Sequence, residues 1–163
     1  MKRRILGIDP GSYFLGVGCI EYRDRTPRLI FAETIVAPKG MPLYSRFGLI
    51  LDKLKSRVEE LQPDEVVFED TFFGKNAKSA LYLGIARGVV ASVFLERKIP
   101  IFEYAPTAVK SAVAGNGRAD KGAVKKMVEM TLGARLDLGF DATDALAIAV
   151  CHGSQRITLR MEK

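Results

Sequence analysis

Four carboxylates carry the chemistry that this sequence offers. Asp9 follows the short apolar run Ile5-Leu6-Gly7-Ile8 and precedes Pro10-Gly11, which turn the chain. Glu69 closes the run Val66-Val67-Phe68, with Asp70 beside it. Asp141 and Asp144 lie three apart, so on a helix they share a face. Each acid has an ordinary explanation by itself. Asp9-Pro10-Gly11 is turn composition, Glu69 and Asp70 suit a strand end, and Asp141 with Asp144 suits a helix start. Together, in a chain of formal net charge +6, acids gathered from three termini call for a cation. Hard oxygen ligands suit Mg²⁺ or Mn²⁺. Two such ions ~4 Å apart can activate a water and steady the leaving oxygen in phosphodiester hydrolysis. Without metal the acids repel one another, which raises at least one pKa and makes metal affinity fall with pH.

Other chemistries find less support. Cys19 and Cys151 sit in apolar contexts without paired spacing, which reads as buried thiols rather than a disulfide or a zinc site. His152 has no nucleophile motif near it. Gly115-Asn116-Gly117-Arg118-Ala119-Asp120-Lys121 is glycine-rich and basic but departs from the P-loop pattern. The turn at Asp9 also suits the phosphate loop of actin-like ATPases. Those proteins carry a second related domain, for which 163 residues leave no room.

The elements that must position the acids follow from length, patterning and turn signals. A chain of 163 residues fits one domain, 1–163, with a short tail from about residue 153. Apolar runs at 3–9, 16–22 and 28–36, joined by short turns, predict three antiparallel strands. Between Pro42 and Pro63, Leu43, Phe47, Ile50, Leu51, Leu54, Val58 and Leu61 recur at helical spacing. A buried strand at Glu65–Glu69 follows, then a long apolar helix over 76–98. Gly84 and Gly88 share one face of that helix, where a second helix could approach closely, within this chain or in a homodimer. A fifth strand at 100–104 precedes helices at Pro106–Ala114, Lys121–Leu132 and 141–151. The expected fold is α/β: a five-stranded mixed sheet flanked by helices, in the order of the ribonuclease-H-like fold.

Charge distribution points to a polyanion. The sequence pI is about 9.4. No acid occurs between Thr71 and Leu95, where Lys75, Lys78 and Arg87 lie. Five bases (Lys110, Arg118, Lys121, Lys125, Lys126) face Asp120 alone between Ala105 and Met127. The longest apolar stretch, 81–95, is broken by Arg87 and shorter than the ~20 residues of a membrane span, and no signal-peptide core opens the chain. The expectation is a cytoplasmic protein with no membrane association.

These motifs, in this order and spacing, resemble the RuvC family of bacterial Holliday junction resolvases over nearly the whole chain. The resemblance rests on Ile5 to Ser12, on Glu69 to Phe72 with Lys75-Asn76-Ala77, and on Ser79-Ala80-Leu81 with Ala86-Arg87-Gly88-Val89. Phe102-Glu103-Tyr104-Ala105 and Asp141-Ala142 with Asp144-Ala145-Leu146 complete it. It implies a homodimer that binds a four-way DNA junction and nicks two opposed strands, with two Mg²⁺ ions per site and Mn²⁺ able to substitute. The family's catalytic acids match Asp9, Glu69, Asp141 and Asp144. Its junction-stacking phenylalanine matches Phe72, with Phe73 adjacent, and two lysines at the DNA match Lys110 and Lys121. Lys75, Lys78 and Arg118 join them as candidate DNA contacts from the basic stretches. A branch-migration complex is the implied protein partner. Another ribonuclease-H-like nuclease, or a junction binder with an inactive site, is the alternative.

Overall fold

The computed structural model describes residues 2–70 and 76–161, with side chains as far as Gln155. Its strands are β1 (Arg3–Pro10), β2 (Phe14–Arg23), β3 (Thr26–Val36), β4 (Glu65–Glu69) and β5 (Ile101–Tyr104). Its helices are α1 (Leu43–Leu61), α2 (Ala77–Glu96), α3 (Pro106–Ala114), α4 (Lys121–Leu132) and α5 (Phe140–Met161). The sheet order is β3-β2-β1-β4-β5. Two short turns make β1, β2 and β3 antiparallel, while crossovers through α1 and α2 set β4 parallel to β1 and β5 parallel to β4.

Strand alternation sorts the core into two layers. Leu6 and Ile8 on β1, with Val66 and Phe68 on β4, pack against Ile50, Leu54, Val90 and Phe94 of α1 and α2. Ile5 and Val67 face the opposite way, onto Val109, Val128, Leu146 and Ile148 of α3, α4 and α5. The period of two then puts Asp9 and Glu69 on the α5 face. Ile8 opposes Phe68 across the parallel pair, so the two acids follow each other at one end of neighbouring strands.

On that face β1 and β2 carry a groove of glycine. Gly7 opposes Gly18, and Gly16 opposes Asp9. α5 lies directly on this groove. A Cβ at Gly7 would fall 1.8 Å from the Ala145 carbonyl oxygen, one at Gly16 2.2 Å from that of Asp141, and one at Gly18 2.7 Å from the Leu146 nitrogen. The helix answers with Ala142, Ala145 and Ala149, all buried. Its first turn is thereby pressed onto β2 beside Asp9.

One boundary differs from the sequence reading. α5 does not end at Cys151 to leave a tail from about 153; it continues through Met161. Gly153 looks like a stop signal, yet it serves close packing, because a Cβ there would lie 2.0 Å from the Tyr22 ring. α2 is apolar and long enough, at 20 residues and mean hydropathy 1.4, to pass for a membrane span by length and composition. It instead buries Ala86, Val90, Val93 and Phe94 in the core and is capped at its start by the Asn76 side chain, which accepts from the Lys78 and Ser79 N–H groups.

The groove predicts an asymmetry among the glycines. Gly7→Ala should cost about 3 kcal/mol or more, because backbone must move to admit the methyl. Gly48→Ala on α1, whose new methyl meets open space, should stabilise the helix by roughly 0.5–1 kcal/mol. Urea unfolding of the two variants compares them directly; equal effects would contradict the seating of α5 described here.

Candidate active site

Three elements deliver the four acids. Asp9 lies near the end of β1 and Glu69 at the end of β4, both rigid inner strands of the sheet. Asp141 and Asp144 stand on the first turns of α5, pressed onto β2 by the glycine groove. Thr143 closes that turn by donating its Oγ1 hydrogen to the Gly139 carbonyl. Asp9 falls within electrostatic range of Glu69, Asp141 and Asp144. Burial pushes the Asp9 carboxyl up to about 7, helped by the charges of Asp144, Glu69 and Asp141 and opposed by Lys121. Burial and Asp144 also raise Glu69, against the lowering pull of Lys110, Lys121 and Arg87.

Lysines complete the site. Lys121, at the start of α4, donates from Nζ to Asp144 Oδ2 at 2.8 Å. That bond, with the fields of Asp144, Asp9 and Asp141, holds the ammonium above its usual range. Lys110 on α3 lines the same cleft of about 180 Å³, together with Glu69, Pro106, Val109, Lys121, Val124, Asp144 and Ala147. The cleft thus brings the carboxylates of Glu69 and Asp144 together with the ammonium groups of Lys110 and Lys121.

The donor set fits a hard divalent cation. All four groups are carboxylates, and their crowding leaves an excess of negative charge that a cation relieves. Among the described residues no three His, Cys, Asp or Glu side chains converge enough to hold one ion as they stand. Asp144 is engaged by Lys121 instead.

The other sequence candidates divide. Lys78 stands on the first turn of α2, its Nζ 5.8 Å from the centroid of the Tyr82 ring. Arg118 lines a separate groove with Asn116, Lys126, Met127 and Met130. Phe72, Phe73 and Lys75 lie outside the described residues. Sequence reading counts Arg87 only among the bases of an acid-free stretch; the structure sets it beside Glu69. It donates from Nη1 to the Glu69 carbonyl and from Nη2 to Glu103 Oε1 at 2.7 Å, bracing the strand end that bears Glu69. Its signal was a single base inside an apolar helix, which needs a partner when it packs inward. His152 is wholly buried, sharing hydrogen bonds with Tyr104 Oη and Glu65 Oε2 at 2.9 Å each. It ties α5 to β4 and β5, away from the acids.

The raised Asp9 pKa predicts a pH-dependent stability in the absence of divalent metal. Below the ordinary value of 3.8 the group is protonated whether the chain is folded or not, and costs nothing. Between 3.8 and about 7 the unfolded chain releases the proton while the folded one keeps it, so stability falls as pH rises. Above about 7 the cost is constant. Asp9→Asn removes it. At pH 8 the variant should melt several degrees higher, with the difference gone near pH 3.5. A melting series without metal checks this; no gain at pH 8 would contradict the crowding.

Residues 5–152 match the family described as Crossover junction endodeoxyribonuclease RuvC. The RuvC of Chloroflexus aggregans is 45% identical over 158 residues, covering 96% of each chain. The solved structure of T. thermophilus RuvC in complex with Holliday junction substrate superposes with a TM-score of 0.89 at 31% identity, covering 96% of each chain. A yeast mitochondrial Holliday junction resolvase shares the fold, with a TM-score of 0.72 at 14% identity over 98% of this chain and 81% of that one. Glycine-seated helix, paired strand-end acids and cleft lysines thus lie within a full-length match, and the chain belongs to the RuvC family of crossover junction endodeoxyribonucleases.

Proposed function

We propose that this protein resolves Holliday junctions by nicking two opposed DNA strands, with Asp9, Glu69, Asp141 and Asp144 as its catalytic, metal-holding acids. The observation that carries the reading is the gathering of four carboxylates from three elements beside Lys110 and Lys121, in a chain that matches the family from 5 to 152. Mg²⁺ is the cation proposed, two ions per site, with Mn²⁺ able to substitute. When bound, the metal supplies Lewis-acid stabilisation and a water of lowered pKa.

The chain's own residues do the rest. The two lysines hold the phosphate against the acids. The acids give up protons to bind cation, so occupancy rises as pH passes the Asp9 pKa near 7. Arg87 keeps the β4 end in place through the Glu69 carbonyl. Water oxygen bonds to phosphorus, the P–O3′ bond breaks, and the products are a 5′-phosphate and a 3′-hydroxyl.

Two symmetric cuts ask for two sites. The outward face of α2 suits a second copy of the chain. Leu81 and Leu95 are 60% and 65% exposed there, and a Cβ at Gly84 or Gly88 meets nothing within 4 Å. A two-fold pair through that face gives two related sites. A branch-migration complex is the proposed partner that delivers junctions.

Two measurements test the reading. Asp9→Asn should lose nicking of a mobile four-way junction in Mg²⁺ by at least about a thousandfold, while binding it like wild type in Ca²⁺. Full nicking by the variant, or faster cleavage of an RNA–DNA hybrid than of the junction by wild type, would overturn the assignment. Leu81→Glu with Leu95→Glu should sediment as a monomer whose thermal unfolding stays cooperative; an unchanged dimer would move the interface elsewhere.

A further inference from the structure

A second feature lies around the end of the sheet from the acids, where the β1–β2 turn, the end of β3 and the start of α1 meet. Ala37 donates its N–H to the Tyr13 carbonyl, Phe14 opposes Val36 in the β2–β3 pair, and the Phe14 ring lies on Gly11. Tyr13, Phe14, Val36 and Tyr44 are all exposed large apolar side chains. The segments of this corner carry no acid of their own: no Asp or Glu occurs in residues 10–20 or 34–51, where Lys39 and Arg46 do.

Arg46 is its unusual member. It is only 4% exposed, yet its Nε and Nη1 are enclosed with no hydrogen-bond partner among the described residues. A guanidinium cannot shed its charge, so enclosing these donors unsatisfied is costly. The Tyr13 ring lies on it, 3.6 Å from the guanidinium carbon to the ring centroid. Arg46 stands in the second turn of α1, where side chains lean back toward the helix start. That start has Pro42 at the cap, no side chain capping it and no acid in its first turn. Its free N–H groups and its dipole favour an anion, as does the guanidinium. The ring covering Arg46 belongs to a turn and is itself 44% exposed.

We infer that Arg46 and the uncapped start of α1 bind a backbone phosphate of the DNA, with Tyr13 turning aside to admit it and the exposed rings beside it lying against the sugars. The inference rests on the junction-cleaving reading above, and its site adjoins the β1 turn that carries Asp9. It extends the path of the strand past the acids, from the lysines of the cleft around the sheet end to α1.

The test is junction binding in Ca²⁺ across a salt series, using the full chain. Arg46→Met should flatten the slope of log affinity against log salt by about 0.9 and weaken binding about tenfold near 0.1 M salt, alike for junctions of different sequence. Arg46→Lys should keep the slope. A folded Arg46→Met with wild-type slope and affinity would show that the arginine only props Tyr13. A second readout uses wild type alone, in case the variant fails to fold. The Arg46 Nε–H resonance should shift on adding junction, and not on adding a junction with neutral methylphosphonates in the arms. A shift with inorganic phosphate but none with junction overturns the DNA assignment. Wild type that binds duplex as tightly as four-way junction sinks the proposed function, and the Arg46 slope measured on that duplex still decides the inference separately.

Discussion

The site depends on how closely α5 can approach the sheet. A helix normally stands about 10 Å off a sheet because side chains fill the gap. Here Gly7, Gly16 and Gly18 remove those side chains, and Ala142, Ala145 and Ala149 present little in return. The approach costs the hydrophobic area that larger residues would have buried. It sets two carboxylates of the helix beside two carboxylates of the strands on a frame that has little freedom to relax. That is the arrangement catalysis by preorganised charge requires.

The electrostatics then oppose the packing. Burial and neighbouring acids disfavour ionisation, and Asp9 shows it most, chiefly because it is buried and then because Asp144, Glu69 and Asp141 face it. Lys121 relieves part of the strain through Asp144, and the remaining excess of negative charge is a standing demand for cation. Folding stability and metal binding thus draw on the same charges in opposite senses, in line with the view that functional sites carry local cost.

Much of this was legible in the sequence. Alternation and turn signals placed Asp9 and Glu69 at strand ends, and the three-residue spacing put Asp141 and Asp144 on one helix face. The element order and the mixed sheet follow from connection lengths. Sequence reading did less well where a glycine had two uses. Gly153 looks like a helix stop, and only the Tyr22 ring packed against it shows otherwise. Gly7, Gly16 and Gly18 look like ordinary strand glycines until a helix lies across them. Arg46 was opaque and the bond from Arg87 to Glu69 equally so, because a lone base carries no periodic signal and its partners lie far away in the chain. The stretch of Phe72, Phe73 and Lys75 stays a sequence expectation.

α2 joins two surfaces that are usually kept apart. Its outward side offers Leu81, Gly84, Gly88 and Leu95, while its inward side sends Arg87 to the carbonyl of Glu69. The helix therefore runs from an exposed face to the strand end that bears Glu69, with Val90 and Phe94 packed in the core between them. In the proposed assembly a single rigid element would carry both the seat for a second copy and the brace on a proposed catalytic acid, with no loop between the two.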